Sequence, residues 1–113
     1  MSRFTLPYPP SANRYWRVWR GRAVKSDEAR AYQLQVQVLV PRAPLTGPVR
    51  VGVSAFRPRK SGDLDNLLKV ALDALKGRAF VDDKQVVEIH ACLFDDKANP
   101  RLEVGVTAME ADR

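Results

Sequence analysis

Acidic residues are nearly missing from the first half of this chain: before Ser61 only Asp27 and Glu28 stand against twelve Lys and Arg residues. Cysteine and histidine are as scarce, represented by Cys92 and His90 alone. One cysteine excludes an intrachain disulfide and a cysteine-based zinc site, and its ordinary place is a small buried position in a strand. One histidine excludes a histidine-rich metal centre, and a strand position suits an edge or dimer-interface role better than general-base chemistry. There is no Ser/His/Asp arrangement for nucleophilic catalysis and no GxxxxGK loop, so neither a serine-hydrolase reading nor a nucleotide cofactor has support. The longest uncharged apolar stretch, Leu34–Val40, is interrupted by Gln35 and Gln37, far short of the roughly 20 apolar residues that span a bilayer. Met1–Pro10 has no signal-type apolar region, so the expectation is a cytoplasmic protein with no membrane association.

What is present suffices for one packed core. The 113 residues are 45% hydrophobic and 28% charged, the balance of an ordinary globular protein, and residues 1–113 are expected to form a single domain.

The pattern along the chain predicts a short strand at Arg3–Leu6, which Pro7, Pro9 and Pro10 turn into an extended exit. Tyr15–Trp19 and Ala23–Lys25 flank Arg20-Gly21-Arg22 as a hairpin would. Ser26, followed by Asp27 and Glu28, starts a helix that Pro41 ends. Val49, Val51, Val53 and Ala55 alternate with Arg50, Gly52 and Ser54, the signature of a half-buried strand. Leu64, Leu67, Leu68, Ala71, Leu72 and Leu75 then form one apolar helix face that closes at Gly77. Strands follow at Gln85–Phe94 and Leu102–Met109. The order predicts an α+β fold, a small mixed β-sheet with two helices packed on one face.

The net charge of +6 is unevenly spread: +10 up to Lys60 and −4 beyond it. Such a distribution lets one part grip phosphates while another holds cations. Arg14, Arg17, Arg20, Arg22, Lys25, Arg57, Arg59 and Lys60 are the candidate phosphate contacts. Taken singly, each is explained equally well as solvated surface. Tyr8, Tyr15, Trp16 and Trp19 have the ring faces to stack on bases, although aromatics in a small protein more often fill its core.

Asp63 falls at the start of the second helix and Asp65 in its first turn, with Lys69 one turn on. Asp82 and Asp83 follow after the helix. A structural reading is available: an Asp N-cap contributes about 1 kcal/mol, and an Asp65–Lys69 pair about 0.3–0.5 kcal/mol. The chemical reading supposes that the chain returns to bring Asp82 or Asp83 to Asp63 and Asp65. Two carboxylates about 5 Å apart repel by about 3 kcal/mol at an effective dielectric near 20, so three together need a cation or a shared proton. Mg²⁺ suits it, because one or two carboxylates and substrate phosphate oxygens satisfy its preference for hard oxygen ligands.

Three segments together carry a resemblance: Leu6-Pro7-Tyr8-Pro9-Pro10-Ser11-Ala12-Asn13-Arg14-Tyr15-Trp16-Arg17, Asp63-Leu64-Asp65-Asn66-Leu67-Leu68-Lys69 and Phe80-Val81-Asp82-Asp83-Lys84-Gln85-Val86. In this order they resemble the RusA family of Holliday-junction resolvases, nearly from end to end. The resemblance implies a homodimeric α+β endonuclease that nicks four-way DNA junctions in pairs during recombination and repair, using Mg²⁺ with Mn²⁺ as a substitute, and leaves 5′-phosphate and 3′-hydroxyl ends. Carried over by motif, Asp63, Asp65 and Asp83 are the metal carboxylates and Lys69 the catalytic lysine, which leaves Asp82 structural. Ser61 and Gly62 stand where the family is densely basic and thin the charge beside the acids. The alternatives are a non-catalytic DNA- or RNA-binding module, in which the two acids only cap a helix, and a nuclease acting on forks or flaps.

Overall fold

The computed structural model describes residues 2–60 and 62–110; Ser61, read above with Gly62 as thinning the charge beside the acids, lies outside them. Its main sheet is built from β1 (Ser2–Pro7), β4 (Val49–Arg57), β5 (Val86–Asp95) and β6 (Arg101–Ala108) in the order β1-β6-β4-β5. β6 pairs antiparallel with both β1 and β4, whereas β5 runs parallel to β4. The mixed sheet and the α+β class are as the sequence predicts.

Alternation decides which face is covered. Val49, Val51, Val53 and Ala55 of β4 are buried together with Leu6 of β1 and Leu102, Val104 and Val106 of β6. Against this face pack α2 (Asp27–Leu39), through Ala29, Tyr32 and Val36, and α3 (Leu64–Leu75), through Leu67, Val70, Ala71, Ala74 and Leu75. A fully buried Val or Leu contributes about 1.5–3 kcal/mol, so this layer is the main source of stability.

The helix ends have local causes. The Ser26 hydroxyl accepts a 3.1 Å hydrogen bond from the Ala29 amide, an N-cap. At the other end, α3 stops where Gly77 turns to φ 83°, a conformation that favours glycine.

Three details depart from the sequence reading. A four-residue helix, α1 (Ala12–Tyr15), takes up Tyr15, so the hairpin is shorter: β2 (Trp16–Trp19) and β3 (Arg22–Lys25). These two strands form a separate sheet. Cys92 lies in a strand but is exposed. It pairs with Ser54 on the uncovered face of the sheet, because the half-buried positions of this part of β5 are the alternate ones, Ala91 and Leu93.

Candidate active site

Asp63 is the N-cap residue of α3, yet its side chain makes no capping hydrogen bond. The structural role open to it is therefore unfilled, in contrast to Ser26 on α2. Asp65 stands in the first turn and is exposed. Both carboxylates sit at the N-terminal end of α3, the positive end of the helix dipole. Lys69 is one turn further along and also exposed; among the described residues it forms no ion pair with Asp65.

The extended Pro7–Pro10 segment delivers the N-terminal motif to the same place. Tyr8, Asn13 and Arg14 join Arg59, Asp63 and Asn66 around an open groove of about 550 Å³. Asn13 and Asn66 also border the adjoining hollow that contains Lys69 and Trp16. Asn13 makes no side-chain hydrogen bond among the described residues and lines the groove. Burial pushes the Tyr8 hydroxyl pKa up, opposed by the nearby Arg57 and Arg59 guanidiniums. Sequence spacing gave little warning that Tyr8, Asn13 and Asn66 would meet around this groove. The available signal was the run of prolines, which forces the segment past the end of β4.

The basic candidates divide by what they already hold. Arg17, Arg20 and Arg22 lie exposed on the β2–β3 hairpin, with the Arg20 guanidinium 4.5 Å from the centre of the Trp19 ring. Arg59 and Lys60 are exposed beside Asp63, and Arg14 is exposed while forming a loose 3.6 Å pair with Glu28. Lys25 is instead engaged at 3.1 Å by Asp73 on α3. Arg57 is bound by Asp95 at 3.0 Å, and its side chain is only 16% exposed. Among the aromatics, Tyr15 is fully buried and Trp16 half-buried edge-on against it, whereas Trp19 stands 60% exposed at the hairpin end.

Asp82 and Asp83 have separate settings. Asp82 caps a 3₁₀ turn, Asp83–Gln85, by accepting a 3.0 Å hydrogen bond from the Lys84 amide. This bond, then contact with Asp83, holds its carboxyl below the usual range. The Gln85 side chain completes the box: its Oε1 accepts from the Val81 and Asp82 amides, and its Nε2 donates to the Leu45 and Gly47 carbonyls. Asp83 is left exposed on a turn pinned at both sides.

That turn lies at the wrong end of the molecule for the expected cluster. Because β5 is parallel to β4, the chain must travel back the length of the sheet before β5 can start. Val86 pairs with Val49 at the beginning of β4, whereas Asp63 follows its end at Arg57. The intervening α3 has 12 residues, about 18 Å at 1.5 Å per residue. One chain therefore brings Asp63 and Asp65 together and leaves Asp83 apart from them. Among the described residues, no three His, Cys, Asp or Glu side chains are grouped as a metal ion would require.

The family model for "Endodeoxyribonuclease RusA" matches residues 7–107. The chain belongs to the RusA family. It is 40% identical over 111 residues to the crossover junction endodeoxyribonuclease RusA of Escherichia coli K12, covering 93% of this chain and 92% of that one. The RusA enzymes of Shigella sonnei and Enterobacteria phage 82 match over the same shares at 40% and 39% identity. The RusA match takes in the groove, the start of α3 and the Asp82–Asp83 turn. No helix among the described residues is long and apolar enough to cross a membrane.

Proposed function

We propose that this chain is a crossover junction endodeoxyribonuclease, hydrolysing phosphodiesters in four-way DNA junctions during recombination and repair, as a homodimer. The observation that carries the reading is the groove at the N-terminus of α3, where a carboxylate free of its capping role meets the basic residues Arg14 and Arg59. Names borne by the relatives supply the substrate class.

Asp63 and Asp65 are an all-oxygen donor pair that fits Mg²⁺, with a phosphate oxygen of the substrate as a further ligand; Asp83 does not reach them within one chain. When bound there, the ion supplies an acidified water and neutralises charge at the phosphorus. Attack by the water oxygen forms the new P–O bond and breaks the bond to the 3′ oxygen, which takes up a proton. The products are 5′-phosphate and 3′-hydroxyl ends. Lys69 places positive charge beside the equatorial phosphate oxygens. Arg14, Arg59 and Lys60 hold the flanking phosphates, while the hairpin arginines Arg17, Arg20 and Arg22 extend the grip.

The test is cleavage of a synthetic four-way junction, mapped on all four strands with and without Mg²⁺ or Mn²⁺, for wild type and Asp65→Asn. Paired, metal-dependent nicks lost in a folded, DNA-binding variant are the expected result. Junction binding without cleavage in any divalent ion would reduce the protein to a binding module. Preferential cutting of forks or flaps would change its substrate.

A further inference from the structure

The β2–β3 hairpin is a sheet of its own, and its end takes no part in packing the core. Arg20 and Gly21 join the two strands at φ 50° and 74°. Positive φ at both positions makes the tight turn whose twist matches the flanking strands. Gly, Asn or Asp adopts the first position with least strain, and Arg20 is the only non-glycine with positive φ among the described residues. The turn therefore gives no reason for an arginine. Its side chain supplies one, since the guanidinium lies 4.5 Å from the centre of the Trp19 ring.

Alternation gives the hairpin two faces. On one, Val18 pairs with Ala23 and Trp16 with Lys25; on the other, Arg17 pairs with Val24 and Trp19 with Arg22. The first face joins the rest of the protein. Trp16 packs edge-on against Tyr15, Asp73 holds Lys25, and Trp16 and Ala23 border the hollow that contains Lys69. The second face is exposed at Arg17, Trp19 and Arg22. Trp19 stands outside the hydrophobic core with 60% of its surface open.

Among the described residues, Arg17, Arg20 and Arg22 form no ion pair, and no acidic residue lies between Trp16 and Lys25. Three cations alone would suit any polyanion. The ring beside them narrows the choice to a polyanion with planar groups, and nucleic acid carries one on every unit. Continuity points the same way, because the opposite face of the hairpin borders the Lys69 hollow, beside the groove assigned to DNA above. A base inside a duplex has both of its faces covered by its neighbours. Only a base that has left the stack offers a face to Trp19.

We propose that Trp19, backed by Arg20, stacks on an unpaired base, so that the hairpin favours branched or interrupted DNA over continuous duplex. The choice of DNA as ligand rests on the nuclease reading above; the stacking itself does not depend on cleavage. Arg17 and Arg22, on the same face, hold the phosphates that flank the base.

The test is binding without divalent metal, so that no strand is cut. Fluorescence anisotropy compares a linear duplex, the same duplex with one extra unpaired base, and a four-way junction. Trp19→Ala is expected to weaken binding of the last two roughly five- to 150-fold, the usual contribution of one base stacked on an aromatic ring. The linear duplex is expected to bind nearly as before. Trp19→Phe, which keeps a ring, retains most of the preference. Trp19→Leu, which keeps apolar bulk without a ring, behaves as Trp19→Ala does and replaces it if that variant does not fold. With 2-aminopurine as the extra base, fluorescence is expected to fall when the wild type binds and to stay high with Trp19→Ala. Unquenched fluorescence with the wild type, or an equal loss on all probes, would overturn the stacking role. If Trp19 acts as proposed and the wild type cuts no junction with Mg²⁺, the nuclease reading alone fails. If the wild type cuts junctions and Trp19→Ala keeps its preference for them, the stacking role alone fails. A wild type that binds none of the probes ends both.

Discussion

Tyr15 donates a 2.7 Å hydrogen bond to the Asp73 carboxylate, joining residues 58 positions apart. Gln33 and Lys25 meet the same carboxylate at 3.1 Å. One side chain of α3 therefore ties down α1, α2 and β3 together, and with α1 the Asn13–Arg14 wall of the groove. Tyr15→Phe removes one donor and leaves the others. The expected loss is about 1.5–3 kcal/mol of unfolding free energy, the usual worth of a hydrogen bond to a charged group, measured by urea denaturation.

The same tyrosine makes the fold sensitive to alkali. Burial, then the bond to Asp73, raises the Tyr15 pKa above its usual value near 10, and burial raises that of Tyr32. A raised folded pKa means the unfolded chain releases its proton first as pH increases. The stability these hydroxyls contribute is complete below pH 10 and falls as pH rises past it. Urea midpoints between pH 8 and 11 are expected to decline at the alkaline end, less steeply in Tyr15→Phe (interval chosen around the usual tyrosine value of about 10).

Two helix caps are expected to respond in opposite ways. Ser26→Ala deletes a formed cap and is expected to cost about 1 kcal/mol with little effect on turnover per folded molecule. Asp63→Asn deletes no capping bond, so unfolding free energy is expected to stay within about 0.5 kcal/mol. Cleavage is expected to fall at least the roughly hundredfold that loss of even an outer metal partner can bring. Thermal melts and single-turnover junction cleavage, run on both variants, separate the effects.

Salt titration distinguishes the basic residues. Arg20→Ala and Arg22→Ala on the open hairpin are each expected to lower the slope of log affinity against log salt by about 0.9. Lys25→Ala and Arg57→Ala remove cations already bound to Asp73 and Asp95. Their effect is expected mainly on stability, with the slope nearly unchanged, as fluorescence anisotropy on a labelled junction would read.

Gln85 is the remaining point of leverage, because its amide makes four hydrogen bonds around the Asp82–Asp83 turn. Gln85→Ala is expected to speed amide hydrogen exchange at Val81 and Asp82 and to reduce cleavage without weakening DNA binding. Unchanged exchange at both amides would deny it that role.

Local physics made much of this fold readable from sequence alone. The apolar period of α3, the alternation in β4 and the Ser26 cap each express a hydrogen-bond or burial pattern that repeats within a few residues. The motif resemblance likewise identified the family and the candidate acids and lysine. Tertiary structure decided what depends on strands far apart in sequence. It exposed Cys92, because β5 presents it to the uncovered face, and it paired Lys25 and Arg57 with carboxylates 48 and 38 residues away. It made β5 parallel to β4, and so set Asp83 at the opposite end of α3 from Asp63. The periodicity of a strand is the same whether its neighbour runs parallel or antiparallel, so sequence alone could specify the carboxylates but not which end of the sheet would hold them.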